Sequence, residues 1–205
     1  MLHEIELPVR AVLFDMDGVL LFSEEAWFAV YNDTLEHFGH APIERAAFDR
    51  IYGNGTEADR DRYMPERAIR EIDEAYAMFF EKHLAHVKTN EEALPVLEEL
   101  RRRGIATSLA TNTNRPLAEE LLRRAGLLSA LDHVACADEV AAGKPDPALL
   151  HLASRRLGIP LGEAFFVGDS RYDAEAAAAA PVRFAGYRFG SGRRIQSLRE
   201  LLAPG

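Results

Sequence analysis

The chain has 205 residues, of which 48% are hydrophobic, and a formal net charge of −9. This length allows one α/β core with a large insertion, and an acidic chain without a basic stripe argues against binding to nucleic acid. One cysteine excludes a disulfide framework. No apolar run is long enough to span a membrane or resembles a signal peptide, so we expect a cytoplasmic protein. We also expect a monomer or weak dimer.

The first predicted element is a strand that leads into two aspartates. Apolar residues fill most of positions 9–14, and Asp15, Asp17 and Gly18 follow them. Such a run is typical of a strand buried in a parallel sheet, in which side chains two apart point the same way. The two carboxylates would repel each other by roughly 4 kcal/mol at 4 Å and an effective dielectric near 20. A Mg²⁺ ion, which binds carboxylates together with substrate phosphate, would relieve that repulsion.

The next stretch, residues 22–87, has helical patterns and no strong strand. We predict helices over 27–38, 43–51 and 65–86, with a loop at 53–56. We call residues 22–87 the cap segment and predict that it is a helical domain inserted between the two parts of a core domain, residues 1–21 and 88–205. Trp27 and Tyr31 share one face of the first helix, and we expect them to belong to the core rather than to a substrate cleft.

After residue 88, helices and short apolar runs alternate along the chain. We predict strands over 105–110, 134–137, 165–168 and 182–185, and helices over 91–103, 116–125, 147–157, 172–180 and 195–202. We expect Pro95 to kink or delay the first of these helices and Asn114 to cap the second. The alternation predicts an α/β fold, with a Rossmann-like parallel sheet flanked by helices and an inserted all-helical cap domain.

Polar clusters occur at four places beside the predicted strands: 15–18, 111–114, 143–147 and 168–173. One such cluster could be ordinary turn or capping chemistry, but four at one sheet edge are harder to explain in that way. Together they fit phosphoryl transfer, in which one carboxylate attacks phosphorus and a second moves the proton. Thr111 and Lys144 could hold the phosphoryl oxygens, and Asp169 with Asp173 could hold Mg²⁺.

The same motifs resemble those of the haloacid-dehalogenase-like phosphohydrolases, in the branch of phosphoglycolate phosphatase and β-phosphoglucomutase. The matching stretches are DMDGVL at 15–20, ATNTNR at 110–115, GKPDP at 143–147 and GDSRYD at 168–173. The resemblance implies that Asp15 is the nucleophile and Asp17 the general acid and base. It also implies that Thr111, the backbone of Asn112, and Lys144 bind the phosphoryl group.

The resemblance further implies a metal site and a mobile cap. Mg²⁺ would be bound by Asp15, the carbonyl of Asp17, and Asp169, with Asp173 close to the metal. The loop residues Gly53, Asn54 and Gly55 could face the site and bind substrate, with Arg60 or Arg62 meeting an anionic group. An ordinary turn with solvated arginines is the alternative for that loop.

The implied function is a Mg²⁺-dependent phosphatase that acts on a small phosphorylated metabolite, of the phosphoglycolate or sugar-phosphate type, through an aspartyl-phosphate. A phosphomutase shares every core motif and stays open, as does the more distant alternative of a non-catalytic phosphate-binding module. Asp17 disfavours dehalogenation, because true haloacid dehalogenases lack it. Phe22 departs from the family pattern, which often has an acidic residue there, and Pro181 stands where glycine is usual.

Overall fold

The computed structural model describes residues 9–203. The N-terminal stretch for which we expected no signal peptide lies outside them. In chain order the first elements are β1 (Ala11–Phe14), β2 (Leu21–Phe22), α1 (Glu24–His37), α2 (Arg45–Phe48), α3 (Thr56–Tyr63), α4 (Ile69–His83) and β3 (Lys88–Thr89). They are followed by α5 (Ala93–Arg102), β4 (Ala106–Thr111), α6 (Arg115–Arg124), β5 (His133–Cys136), α7 (Ala148–Leu157), β6 (Ala164–Gly168), α8 (Arg171–Ala178), β7 (Arg183–Tyr187) and β8 (Arg194–Ile195).

Six parallel strands form the main sheet, in the order β5-β4-β1-β6-β7-β8. Strand β1 lies in the middle, between β4 and β6, so the order of the strands reverses beside it. Parallel α/β sheets bind ligands outside the carboxyl ends of their strands at such a reversal. The residues after β1 therefore occupy the position where a ligand site is expected.

Both faces of this sheet are covered by helices. In β1, Val12 and Phe14 pack on the face that carries α5 and α6, whereas Ala11 and Leu13 pack on the face that carries α7 and α8. This alternation explains the continuous apolar run of the sequence, because a strand buried on both faces needs apolar residues at every position. The predicted Rossmann-like α/β core is confirmed.

The cap segment is a group of helices, α1 to α4, between β2 and β3. Helices α1 and α4 pack through aromatic side chains, with the Trp27 ring 4.9 Å from that of Phe80 and 5.4 Å from that of Tyr76. Strands β2 and β3 pair in antiparallel fashion, so the chain leaves and rejoins the core at one place. This pair was not predicted from the sequence, because two residues in each strand give no periodic signal.

Two predicted helices of the cap segment need correction, and a further helix was not predicted. The one predicted over 43–51 is reduced to the short α2, and α3 was not predicted, because its polar sequence buries only Asp59. The helix predicted from Pro65 begins at Ile69 and ends at His83, with a 3₁₀ turn after it. Its start is set by Glu71, whose carboxylate accepts a hydrogen bond of 2.8 Å from the backbone N–H of Ala68.

The predicted helix over 195–202 is also wrong. Residues Arg194–Ile195 form β8, and Leu198–Leu202 form a 3₁₀ helix. The carboxylate of Glu92, far away in sequence, accepts hydrogen bonds from the Ser197 hydroxyl and the Leu198 N–H and so fixes the start of this 3₁₀ helix.

Elsewhere in the core, α5 starts late enough to leave Pro95 in its first turn, and Asn114 caps α6, as predicted. No helix within residues 9–203 is both long and apolar enough to cross a membrane.

Candidate active site

A buried lysine lies between two aspartates at the carboxyl edge of the sheet. The Lys144 ammonium donates to Asp15 Oδ1 at 2.6 Å and to Asp173 Oδ1 at 2.7 Å, and Lys144 is only 3% exposed. Burial disfavours the ammonium, but the two carboxylates outweigh this effect and raise the pKa of Lys144 above its ordinary value. Lys144 therefore stays charged and neutralises part of an acidic site.

Asp173 holds Lys144 from the first turn of α8. Its second oxygen accepts hydrogen bonds from the Ser170 N–H at 3.0 Å and the Ser170 hydroxyl at 2.5 Å. Ser170 in turn caps the helix by accepting from the Asp173 N–H, so the two residues form a reciprocal capping box. Both oxygens of Asp173 are thus occupied, one by Lys144 and one by Ser170.

Three carboxylates converge beside the lysine. One oxygen each from Asp15, Asp169 and Asp173 lies within 4.8 Å of the others. Burial, followed by repulsion from neighbouring aspartates, raises the pKa of Asp15 to about 8 and that of Asp169 to about 9. Hard divalent cations with oxygen ligands, such as Mg²⁺, suit this donor set and would relieve its repulsion. The residues therefore fit the predicted metal.

Gly18 makes room for Asp169 in this cluster. Its φ of +78° lies in the left-handed region, and a Cβ built on it would lie 1.8 Å from Asp169 Oδ2. No other residue type satisfies both requirements, because a side chain would be strained in this conformation and would also collide with the carboxylate. The glycine after the two aspartates is therefore needed for the site and not only for the turn.

Asp17 is hydrogen-bonded to residues of both the cap segment and the core. Its carboxylate accepts hydrogen bonds from the Ser23 hydroxyl, from Trp27 Nε1 at 2.9 Å and from the Thr113 hydroxyl at 3.2 Å. Burial raises the pKa of Asp17, and the three donors oppose that rise. The side chain of Asp17 is not among the three clustered carboxylates, and a metal contact through its backbone carbonyl stays a prediction.

Two of these donors were not predicted from the sequence, and the third was predicted to have a different role. Ser23 and Thr113 are short polar residues beside recognised motifs, and that position was the available signal. Trp27 was predicted to be a core residue, yet it both packs in the cap and binds Asp17. Tyr31 is 3% exposed, in line with a core position, but it also lines the cavity described below.

Thr111 and Asn112 follow β4 at the same edge of the sheet. Thr111 is 1% exposed, and its hydroxyl accepts a 3.1 Å hydrogen bond from the Thr113 N–H. The Asn112 amide brackets the backbone of Lys144, accepting from its N–H at 2.7 Å and donating to its carbonyl at 2.8 Å. Asn112 therefore connects the second polar cluster of the sequence to the third.

The predicted loop of the cap segment lies over this site. Asn112 Nδ2 also donates to the carbonyls of Gly53 at 2.9 Å and Asn54 at 3.2 Å, and Gly55 packs against the same side chain. Arg60 turns instead toward Asp61, and Arg62 lies over Tyr63.

A cavity lies between the core and the cap segment. The core lines it with Asp15, Asp17, Thr111, Asn112, Thr113, Asn114, Lys144, Asp169 and Ser170, and the cap segment lines it with the loop at 53–56 and with aromatic and acidic side chains. The structure thus brings the predicted site residues other than Asp173 together around one cavity. Asp173 lies behind them, bonded to Lys144, and neither Arg60 nor Arg62 is among the described residues that line the cavity.

A family model described as haloacid dehalogenase-like hydrolase matches residues 9–181. The chain belongs to the haloacid dehalogenase-like hydrolases. Among similar proteins, a phosphoglycolate phosphatase of Neisseria meningitidis is 32% identical over 90% of this chain and 82% of its own length. The pyrophosphatase PpaX of Bacillus velezensis is 31% identical over 87% of the chain and 82% of its own length.

Solved structures agree with this membership. The structure of CbbY from Rhodobacter sphaeroides in complex with phosphate superimposes with a TM-score of 0.81 at 27% identity, covering 94% of this chain and 96% of that one. The recognised family and its phosphoglycolate phosphatase-like branch are confirmed, and the chain is a haloacid dehalogenase-like phosphatase that acts on phosphoric monoesters.

Proposed function

We propose that this phosphatase is Mg²⁺-dependent and hydrolyses a small phosphorylated metabolite through an aspartyl-phosphate on Asp15. One observation carries the proposal: the carboxylate of Asp15 lies against the Lys144 ammonium and the carboxylate of Asp169, with Asp17 two residues further along. The relatives named phosphoglycolate phosphatase and pyrophosphatase support a small phosphate compound as substrate. We therefore propose a phosphoglycolate-like or a sugar-phosphate-like ester as the substrate.

Two carboxylates divide the chemical work. In the first step, an oxygen of Asp15 forms a bond to phosphorus as the ester P–O bond breaks, and Asp17 gives its proton to the leaving oxygen. In the second step, Asp17 takes a proton from a water molecule, which attacks phosphorus and releases phosphate from Asp15. The three donors that hold Asp17 keep its carboxyl group oriented toward the cavity in both steps.

The transferring phosphoryl group needs fixed positive charge and hydrogen-bond donors. Lys144 supplies the charge, while the Thr111 hydroxyl and the backbone N–H of Asn112 supply donors at the edge of the sheet. Asp173 keeps Lys144 in place. Because Lys144 and Thr111 are buried and already hydrogen-bonded, they need little rearrangement during the reaction.

Mg²⁺ would be bound by Asp15, Asp169 and the backbone carbonyl of Asp17, with Asp173 beside it. When bound, it supplies positive charge that balances the acidic cluster and the phosphoryl oxygens. Gly18 leaves the space that Asp169 needs for this contact.

We further propose that residues 22–87 act as a cap on a core formed by residues 1–21 and 88–205. The hydrogen bonds from Asn112 to the carbonyls of Gly53 and Asn54 hold the two parts together over the cavity. Opening would admit substrate, and closure would exclude water from the aspartyl-phosphate until the second step.

The direct test is Asp15→Asn, which keeps the shape of the side chain but removes the nucleophile. We expect phosphate release from a panel of phosphate esters with Mg²⁺ to fall at least about a thousandfold. Mass spectrometry of acid-quenched wild-type protein should find phosphate on Asp15. Asp146→Asn, an exposed site in the GKPDP motif, serves as the control and should keep most of the activity. Undiminished turnover in Asp15→Asn would overturn the proposal.

A further inference from the structure

The cap side of the cavity has a chemical character opposite to that of an anion-binding site. Its polar side chains outside the loop at 53–56 are Trp27, Tyr31, Tyr52, Asp59, Asp73 and Tyr76. These comprise one indole, three phenols and two carboxyl groups. Within the described part of the chain, no arginine, lysine or histidine of the cap segment lines this cavity.

The two carboxyl groups are fixed in place by hydrogen bonds from hydroxyl groups. Asp59, on α3, is 8% exposed and accepts a hydrogen bond from the Tyr76 hydroxyl at 3.0 Å. Asp73, on α4, accepts from the Thr56 hydroxyl at 2.7 Å. In residues 9–203 neither Asp59 nor Asp73 has a salt-bridge partner, so no basic side chain of the described protein is bonded to their oxygens.

The positive charges near the cavity are committed elsewhere. Lys144 is the one basic residue that lines the cavity within residues 9–203, and it already binds Asp15 and Asp173. Arginines of the cap segment lie outside: Arg60 pairs with Asp61 at the surface, and Arg45 pairs with the acidic residues Glu24, Glu25 and Asp49. A second negative charge on a substrate would therefore face carboxyl groups without a compensating cation.

We propose that the leaving group of the substrate carries hydroxyl or amino groups and no negative charge. This inference rests on the proposed phosphatase function and defines its substrate class. Hydrogen-bond donors on the leaving group would pair with Asp59 and Asp73, while the aromatic rings would cover its apolar faces. Carboxylate- or phosphate-bearing leaving groups would be rejected, because their negative charge would be buried against acceptor oxygens with no cation of the cap segment to compensate it. The chain would then differ in substrate from the relatives named phosphoglycolate phosphatase and pyrophosphatase.

The test compares esters that share the phosphoryl group and differ in the charge of the leaving group. The wild-type chain with Mg²⁺ would be assayed on glycerol 1-phosphate, which is neutral beyond the phosphate, on phosphoethanolamine, which is cationic, and on the anionic phosphoglycolate and pyrophosphate. We expect kcat/KM for the better of the first two to exceed that for each anionic compound at least tenfold. The preferred ester of that pair shows whether hydroxyl or amino groups dominate.

The same set of substrates distinguishes failure of this inference from failure of the proposed phosphatase function. Hydrolysis of p-nitrophenyl phosphate together with a preference for phosphoglycolate or pyrophosphate would overturn this inference and leave the phosphatase function in place. Failure to release phosphate from any compound, p-nitrophenyl phosphate included, would overturn both.

Substitutions test whether Asp59 and Asp73 cause the discrimination between leaving groups. In Asp59→Asn and Asp73→Asn, we expect the ratio of kcat/KM between the preferred neutral or cationic ester and phosphoglycolate to fall at least threefold. Asp61→Asn is the matched control, because Asp61 is exposed on the same helix as Asp59 and does not line this cavity. An unchanged ratio in both test variants would overturn the assignment to these residues, and the ratio itself is insensitive to a general loss of active protein.

Discussion

The carboxylate of Asp17 is bonded by residues from two different parts of the chain. Ser23 and Trp27 approach it from the start of the cap segment, and Thr113 approaches from the loop after β4. A general acid works well only when its proton is aimed at the leaving oxygen. The orientation of Asp17 therefore depends on the cap segment and the core being in contact.

Ser23→Ala tests this dependence at the residue scale. The variant removes one of the three donors, so Asp17 samples more orientations, and we expect kcat to fall about tenfold with little change in KM. Ser129→Ala is the control, since Ser129 is exposed and remote from the cavity. Steady-state kinetics on the best ester measure both constants, and a change confined to KM would contradict the assigned role.

Gly18 provides a second test at this scale. In Gly18→Ala the new methyl group would collide with the Asp169 carboxylate, which lies 1.8 Å from the position of that Cβ. We expect the Mg²⁺ concentration for half-maximal activity to rise at least tenfold, because Asp169 is displaced from the cluster. Gly192→Ala, where the added Cβ meets no atom within 4 Å, should leave the metal dependence as it is.

At the scale of elements, the junction between core and cap segment is the β2–β3 pair. Asn90, just after β3, is 4% exposed and reaches back to the chain before β2, where its Nδ2 donates to the Val19 carbonyl at 2.8 Å. The same amide donates to the Tyr187 hydroxyl at 3.1 Å, which ties the junction to β7. A buried side-chain amide with this set of partners is costly to remove, because its partners are left unpaired.

We therefore expect Asn90→Ala to lower the free energy of unfolding by about 2 kcal/mol. Tyr187→Phe removes one hydrogen bond of the same group and should cost about 1 kcal/mol. Urea denaturation followed by circular dichroism measures both values. Equal stability of Asn90→Ala and wild type would show that the junction does not depend on this side chain.

At the scale of the whole molecule, buried acids make stability depend on pH. Burial raises the pKa of Asp59 from an ordinary value of 3.8 to about 7, and the hydrogen bond from Tyr76 only partly opposes this rise. Between these two values the folded protein holds a proton that the unfolded chain has released. The contribution of Asp59 to stability is therefore present below about pH 4 and is lost as the pH rises to about 7.

Asp59→Asn should remove this dependence. The pKa difference corresponds to as much as about 4 kcal/mol, so the free energy of unfolding should fall less between pH 5 and pH 8 in the variant than in wild type. Asp61→Asn, exposed on the same helix, is expected to follow wild type. Chemical denaturation at both pH values, with equal Mg²⁺ throughout, measures the difference, and parallel profiles for Asp59→Asn and wild type would refute this account.

Much of the core and most of the proposed site could be predicted from local signals. The apolar run before Asp15 predicted β1, and the side-chain alternation of the strand explains why it is continuous. The polar residues after three strands predicted a shared edge, because parallel strands end together there. The motifs around Thr111, Lys144 and Asp169 identified the family without reference to any contact between them.

The parts that the sequence did not reveal depend on distant contacts. Helix α3 has no apolar period, and the last predicted helix gave way to β8 and a 3₁₀ helix that Glu92 holds from across the chain. The partners of Asp17 and the acidic residues on the cap side of the cavity could not be predicted from the sequence either. The reason is that the neighbours of a side chain across the fold leave no spacing pattern in the sequence.

The sequence by itself determined the α/β class, the family and the residues that could transfer a phosphoryl group, because these depend on short-range patterns along the chain. Only the tertiary structure decided that Asp173 is held by Lys144 and Ser170, that Trp27 binds Asp17, and that Asp59 and Asp73 line the cavity from the cap segment. The physical reason is that burial and charge act through space. The chemistry encoded in the motifs is therefore local, whereas the selection of a leaving group depends on residues brought together by folding.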